Sequence, residues 1–172
     1  MVARLTSFAP LALLPVLACA PDDPRLGGNE SAYEASEHTS VYTSLHTCKE
    51  IGSSKAADED WGTFACPGYG GFSLQRQYSD LKDDLLVVHD GTKAESDLGL
   101  ARVIGGRRSY LGARAEWRIA GGPGGGRPVA VIFRFSEADE AGNDRAFVVV
   151  AKVAEAGSCV TDIIDLARHP ND

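Results

Sequence analysis

The residues best suited to chemistry are cysteines and histidines, and one cysteine opens a glycine-rich stretch. Residues 66–72 read CPGYGGF, which places three glycines shortly after Cys66. A phosphate-binding loop would need Gly-Lys followed by Ser or Thr, and a dinucleotide loop would need G-x-G-x-x-G between a strand and a helix. Neither pattern is present. A nucleophilic Cys66 would need a nearby base, and the sequence does not place His46 or His89 beside it. We therefore interpret Cys66 as a disulfide cysteine at the start of a turn.

Other chemical motifs are missing from the sequence. His46 and Cys48 lie close together, but no C-x-x-C pair or H-E-x-x-H pattern accompanies them. The acidic turn of residues 139–144 lacks the alternating oxygen ligands and the distal glutamate of a calcium loop. No G-x-S-x-G motif surrounds a serine. We predict no metal, no cofactor and no catalytic residue.

The N-terminus has the pattern of an export signal. Arg4 supplies a positive charge, and the apolar residues 5–17 carry no charge and lead into small residues. This run is too short for a transmembrane helix, which needs about 20 apolar residues. We therefore predict that residues 1–18 are a signal peptide.

The end of this segment resembles the lipobox of bacterial lipoproteins, whose cysteine is acylated on sulfur and becomes the new N-terminus. Residues 16–19 read VLAC, although Leu17 stands where a smaller residue is usual. A competing cut after Ala20 would leave Pro21 first, which fits poorly in an extended protease subsite. The resemblance implies lipidation of Cys19, and acyl chains hold a protein to a bilayer by about 0.8 kcal/mol per buried methylene.

The resemblance also implies a location. Ala20 after the cysteine, rather than an aspartate, implies transport to the outer membrane. The protein is therefore expected to be exported and anchored in the cell envelope, with a lipid bilayer as its first partner. The alternative is a soluble periplasmic or secreted protein.

Composition and charge limit the classes of partner. The chain has 172 residues, 44% of them hydrophobic, and a net charge of -7. An acidic balance argues against nucleic acid, which requires clustered Lys and Arg. The one adjacent basic pair is Arg107 with Arg108. The length and the apolar content suit one globular domain.

Three cysteines follow Ala20, so they cannot all pair within one chain. Export to an oxidising compartment favours a disulfide, and we favour Cys48 with Cys66, which closes a loop across a polar run. Such a loop is worth about 3 kcal/mol in the chain-entropy model. Pairing of Cys159 with either of them stays open, and one free thiol is expected.

The rest of the chain predicts a linker and a sheet domain. Residues 19–39 form the lipidated N-terminus and a flexible linker rich in Pro, Gly, Ser and acids. Residues 40–172 form a single β-rich domain, either an antiparallel sheet or a β-sandwich with at most one or two short helices. The short helices would lie at 96–104 and 161–168. The apolar runs 130–135 and 147–153 predict central strands buried on both faces.

Aromatic residues near turns can form a binding face for a protein or a sugar. Tyr69 lies between glycines, and Phe72 follows the same turn. These two residues are the candidate binding residues. Trp117 alternates with a charged residue inside a predicted strand, so it is expected in the core.

The cysteine, glycine and aromatic positions together resemble a group of small exported proteins of proteobacteria that have no assigned activity. The resemblance covers most of residues 40–166 and rests on Cys48, the CPGYGGF stretch, Asp80 with Leu81, and late Cys159. Lys82 stands where an arginine is usual in that group. The resemblance implies export and a folded domain but no reaction.

These observations lead to a functional prediction. We expect a cell-envelope lipoprotein whose β-rich domain binds an envelope protein or polymer, or has a structural role, without catalysis. The alternative is a periplasmic hydrolase that acts on cell-wall or surface polymers with an acid, His46 or His89. That enzyme would require a cleft holding a carboxylate or histidine with a perturbed pKa.

Overall fold

The chain folds into two antiparallel sheets in a computed structural model. The structure describes residues 39–56, 59–121, 126–139 and 141–168. Sheet A has the strand order β1-β7-β8-β9-β10 and sheet B the order β2-β3-β4-β5-β6. The mainly β fold predicted from the sequence is therefore confirmed.

The chain changes sheet twice, from sheet A to sheet B after β1 and back to sheet A after β6. Sheet A consists of β1 (Thr39–Ser44), β7 (Arg108–Ala120), β8 (Arg127–Ala138), β9 (Asp144–Lys152) and β10 (Cys159–Asp165). Sheet B consists of β2 (Lys49–Ala56), β3 (Glu59–Tyr69), β4 (Phe72–Ser79), β5 (Lys82–His89) and β6 (Glu95–Asp97). Helix α1 (Leu100–Val103) lies between β6 and β7.

One hydrophobic core lies between the sheets. Sheet B contributes Leu74 and Val87, and sheet A contributes Val131, Phe133 and the fully buried Trp117. Successive side chains of a strand point to opposite faces, so the alternate residues form the outer face of each sheet, turned away from this core. The expectation that Trp117 lies in the core is confirmed, and its indole N–H donates to the hydroxyl of Thr43 at 2.9 Å.

The sheets are joined where β5 and β7 begin. The amide of Asp83 donates to the hydroxyl of Ser109 at 2.9 Å, and the amide of Ser109 donates to the carbonyl of Leu81 at 3.0 Å. The amide of Leu111 donates to Oδ2 of Asp83 at 2.9 Å. Side chain and backbone together therefore hold the start of β5 in sheet B against the start of β7 in sheet A.

Two local predictions differ from the structure. Residues 161–168 are not a helix: they complete β10, which pairs with β9, and then form a turn. β-branched residues such as Thr161 and Ile163 suit that edge strand, because they pack well on a pleated surface. Of residues 96–104, only Leu100–Val103 are helical.

The central strands of sheet A are buried on one face, not on both as the apolar runs predicted. In β9 the side chains of Phe147, Val149 and Ala151 are buried, whereas Val148 and Val150 are only half-buried. In the described part of the chain, no element packs over the outer face of this sheet. Sheet A therefore presents aliphatic side chains to solvent.

Several predictions fall on the chain before β1. The signal peptide, Cys19 and nearly all of the linker lie outside the described residues. Within the described ranges, no helix is long and apolar enough to span a bilayer.

Candidate functional site

The cysteines behave as in an oxidised protein. Cys48 and Cys66 form a disulfide between residues 18 apart in sequence, as predicted. Cys159 is also disulfide-bonded. The expected free thiol is therefore wrong for Cys159, and none of the described cysteines is free. The disulfide also removes Cys66 as a nucleophile.

The two aromatic residues predicted to bind a ligand lie at the end of a hairpin. Tyr69 pairs with Phe72 across the Gly70–Gly71 turn. Phe72 is only 7% exposed and packs edge-on against His89, so its ring belongs to the core. Tyr69 is half-buried and packs against the same core. The hairpin brings the two residues together, but burial leaves Phe72 little surface for a ligand.

The surroundings of His46 and His89, the two candidate bases, do not suit a general base. Nδ1 of His89 lies 2.8 Å from the hydroxyl of Thr92, and its ring contacts Phe72. His46 is exposed in the connection after β1. The described contacts of His89 are a hydroxyl and an aromatic ring, and neither is a nucleophile or carboxylate that a catalytic base would serve.

The outer face of sheet B carries a groove of about 550 Å³. Strand pairing aligns Trp61 with Ser79 and then Lys82, and in the next row Thr63 with Gln77 and then Asp84. These residues alternate with core residues, so all six side chains are on the outer face. We call this site the Trp61 groove.

Trp61 gives the groove an aromatic wall. Its side chain is 39% exposed and lies against β2, where a β-carbon on Gly52 would be 3.5 Å from Cζ3 of the indole. This distance is ordinary van der Waals contact, so the ring packs on the edge strand β2. An exposed indole beside hydroxyl, amide and ammonium groups can stack on an apolar surface and donate or accept hydrogen bonds.

Two acids at the groove have structural partners. Asp83 is 4% exposed and accepts from Nε and Nη2 of Arg76 at 3.1 and 3.0 Å. Oδ1 of Asp84 accepts from the amides of Leu85 and Leu100 at 2.8 and 3.0 Å, which ties α1 to β5. Both carboxylates therefore hold the fold together.

Burial raises the pKa of Asp84 above its ordinary value of 3.8, while the hydrogen bonds from the amides of Leu100 and Leu85 oppose that shift. Proximity of Asp97 adds a smaller raising effect. A groove holding a carboxyl with a raised pKa is the feature required by the hydrolase alternative. The backbone bonds of Asp84 show that the same carboxyl also has a structural role.

The groove lacks the ligand geometry of a metal site. Within the described ranges, no group of three or more His, Cys, Asp or Glu residues is placed to hold a metal ion. The side chains of the groove can themselves stack on a ligand and form hydrogen bonds with it.

Trp61 is not among the binding residues predicted from the sequence, Tyr69 and Phe72, which were chosen for their place at a turn. A usable signal was present: Trp61 shares a strand phase with Thr63, opposite the phase of Phe64 and Cys66. A large aromatic residue on the polar face of a strand is a stronger binding candidate than one beside a turn glycine.

Comparisons with models of protein families, with curated proteins and with solved structures gave no significant match. The fold and the site define a two-sheet β domain with an aromatic, polar groove on one outer face.

Proposed function

We propose that this chain is an exported binding domain of the bacterial cell envelope that recognises a glycan through the Trp61 groove. The observation that carries the proposal is an exposed indole beside hydroxyl, amide, carboxylate and ammonium groups on one sheet face. Sugar rings offer an apolar face for stacking and hydroxyls for hydrogen bonds, so this set of side chains suits them.

A binding role agrees with how the acids are used. Asp83 is neutralised by Arg76, and Asp84 accepts two backbone hydrogen bonds. A glycosidase of the common type needs one carboxylic acid that protonates the leaving group and one carboxylate as base or nucleophile. Carboxyls engaged in the fold suit recognition better than that chemistry.

The two tryptophans provide a direct test, because Trp117 is fully buried and Trp61 is exposed. Acrylamide should quench the fluorescence of Trp61 selectively. We expect soluble envelope polysaccharide or peptidoglycan fragments to protect it from quenching in the Trp117→Phe variant. Trp61→Ala should lower glycan binding at least tenfold, as stacking of a Trp contributes on the order of 1.5 kcal/mol.

The matched control is Tyr110→Ala, which removes another exposed aromatic side chain outside the groove. It should leave glycan binding unchanged. The proposal fails if none of these glycans protects Trp61, or if Trp61→Ala and Tyr110→Ala weaken binding equally.

The hydrolase is the second candidate, and the raised pKa of Asp84 in the groove is the observation that favours it. An Asp84→Asn variant keeps an oxygen that accepts hydrogen bonds but cannot transfer a proton. Release of reducing sugar ends from the same glycans, abolished by Asp84→Asn, would establish the enzyme. Binding without release would support the non-enzymatic domain.

Export is supported by the disulfide between Cys48 and Cys66, because such bonds persist in oxidising compartments. The lipid anchor at Cys19 stays a prediction from the sequence.

Intact mass of the protein from its native host separates these outcomes. A chain that starts at an acylated Cys19 and has one alkylatable thiol would establish the anchor. A chain with no acyl group, starting at Cys19 or at Pro21, would rule it out and leave a soluble exported domain. Membrane retention that is lost in Cys19→Ser is the corresponding cellular result.

A further inference from the structure

A second groove, of about 680 Å³, lies on the outer face of sheet A. It is on the sheet opposite the Trp61 groove, so the two sites share no lining residue. Its floor is formed by Ile132 of β8 and Val148 of β9, which are half-buried. This is the aliphatic face that the sequence predicted to be covered.

A bulge in β7 shapes the groove. Leu111 pairs with Phe135 and Ala115 with Phe133, so three residues of β7 lie opposite the single residue Arg134. Gly112 makes this close approach feasible, because a β-carbon there would be 2.9 Å from Cβ of Arg134. A bulge bends its strand and redirects side chains. Here it places Arg114 on the rim.

Two guanidinium groups border the apolar floor. Arg114 and Arg134 are both exposed, and neither forms an ion pair with an acid in the described ranges. Cζ of Arg114 is 6.0 Å from the centre of the Tyr42 ring, which forms another wall. Tyr42 itself is more than half exposed.

The acid in the groove is already compensated. Glu116 accepts from the hydroxyl of Ser40 at 2.6 Å and from Nη1 of Arg118 at 3.1 Å. The hydrogen bond from Ser40 holds the pKa of Glu116 below its ordinary value, with further lowering by Tyr42 and Arg118. Because Arg118 balances this charge, Arg114 and Arg134 leave the groove cationic on a protein of net charge -7.

We propose that this groove binds an organic carboxylate with a short, unbranched apolar chain. Guanidinium groups bind carboxylates through two parallel hydrogen bonds. The chain of the ligand would lie over Ile132 and Val148, where it removes apolar surface from water. A neutral ligand would leave the charges of Arg114 and Arg134 uncompensated. An anion without an apolar chain would leave Ile132 and Val148 in contact with water.

The test is an NMR titration of the ¹⁵N-labelled mature protein with octanoate, octanamide and acetate. We expect octanoate to shift the amides of Ala113, Ile132 and Val148. Octanamide and acetate should bind at least tenfold more weakly. Octanamide lacks the negative charge, and acetate lacks the apolar chain. Arg114→Gln and Arg134→Gln should each weaken octanoate binding about tenfold, as expected for loss of a charge-assisted hydrogen bond.

Arg108→Gln is the matched control, since it removes an exposed arginine that borders a different depression. It should leave octanoate binding unchanged. The proposal is overturned if octanamide binds as tightly as octanoate, if both groove variants bind normally, or if millimolar octanoate causes no shift. It is also overturned if these amides shift with protein concentration alone, because a second copy would then cover the face.

Discussion

Asp83 illustrates how single residues hold this fold together. It is a buried carboxylate that receives Arg76 from its own sheet and the amide of Leu111 from the other sheet. Its backbone amide is bound by Ser109. Removing one partner of a buried ion pair leaves an uncompensated charge, which costs more than the pair contributes when intact.

Arg76→Met should therefore lower the free energy of unfolding by about 3 kcal/mol, because Asp83 would keep its burial and lose its cation. Urea denaturation measures the change. Arg102→Met is the matched control, since the pair of Arg102 with Asp97 is largely exposed. That variant should change stability by about 0.5 kcal/mol or less. Equal losses in the two variants would contradict a structural role for the buried pair.

Asp84 should make the free energy of unfolding fall as pH rises, whereas an acid with a lowered folded pKa makes it rise. Because burial raises its folded pKa, the folded chain holds the Asp84 proton more tightly than the unfolded chain does. This stabilisation is complete below the ordinary pKa of 3.8 and is lost as pH rises through the folded pKa. Asp84→Asn removes the titration and keeps an oxygen for the amides of Leu85 and Leu100.

The corresponding measurement is urea denaturation of wild type and Asp84→Asn from pH 3 to pH 7. Relative to wild type, the variant should become more stable as pH rises above the ordinary pKa of 3.8. Asp80→Asn is the control variant, because it removes one negative charge from the same groove and leaves Asp84 in place. A stability difference between wild type and Asp84→Asn that does not change with pH would show that the prediction is wrong.

At the scale of elements, the CPGYGGF stretch is a hairpin with a bulge rather than a ligand loop. The register of β3 against β4 shifts between Cys66 and Tyr69, and Gly70 and Gly71 form the turn with φ of 59° and 85°. Positive φ favours glycine, because a β-carbon would approach the following carbonyl. The three glycines therefore serve backbone geometry.

Two alanine substitutions separate packing from conformation in this hairpin. A β-carbon on Gly68 would overlap the carbonyl oxygen of Phe72 and Cα of Ser73, whereas none of the described atoms lies within 4 Å of one on Gly71. Gly68→Ala should cost about 3 kcal/mol or more, because the backbone must move. Gly71→Ala should cost only about 1 kcal/mol from its positive φ. Thermal or urea unfolding that ranks them in reverse order would refute this explanation.

At the scale of the whole molecule, the disulfide supports a fold whose contacts span long sequence distances. Residues 39–44 pair with a strand that begins at Arg108, so all the strands of sheet B lie in the chain between β1 and its partner β7. Cys48 and Cys66 link the beginning of β2 to β3, next to the pair of Lys49 and Ala65. The bond restricts the unfolded chain across that segment.

Replacing both Cys48 and Cys66 by alanine should lower the free energy of unfolding by about 3 kcal/mol, the loop-closure value for a separation of this size. Urea denaturation of the double variant under non-reducing conditions gives the number. A loss below about 1 kcal/mol would contradict this loop-closure contribution.

Local patterns in the sequence predicted much of the sheet. The mainly β domain and the pairing of Cys48 with Cys66 both appear in the structure. Sequence patterns did not predict which face of a strand is buried, because tertiary contacts decide it. The apolar runs in β8 and β9 do not show that only one face of each strand is covered. The helix predicted at 161–168 is instead an edge strand, because β9 supplies its hydrogen-bond partners.

The sequence by itself determined the β-rich class, the acidic charge and the candidates for a disulfide, because period-two alternation, composition and residue type are local properties. Only the tertiary structure decided which side chains share a groove. Trp61 and Lys82 line one groove, and Arg114 and Val148 line the other, because the register of neighbouring strands aligns them. That register depends on long-range packing of two sheets around one core, which no short window of residues contains.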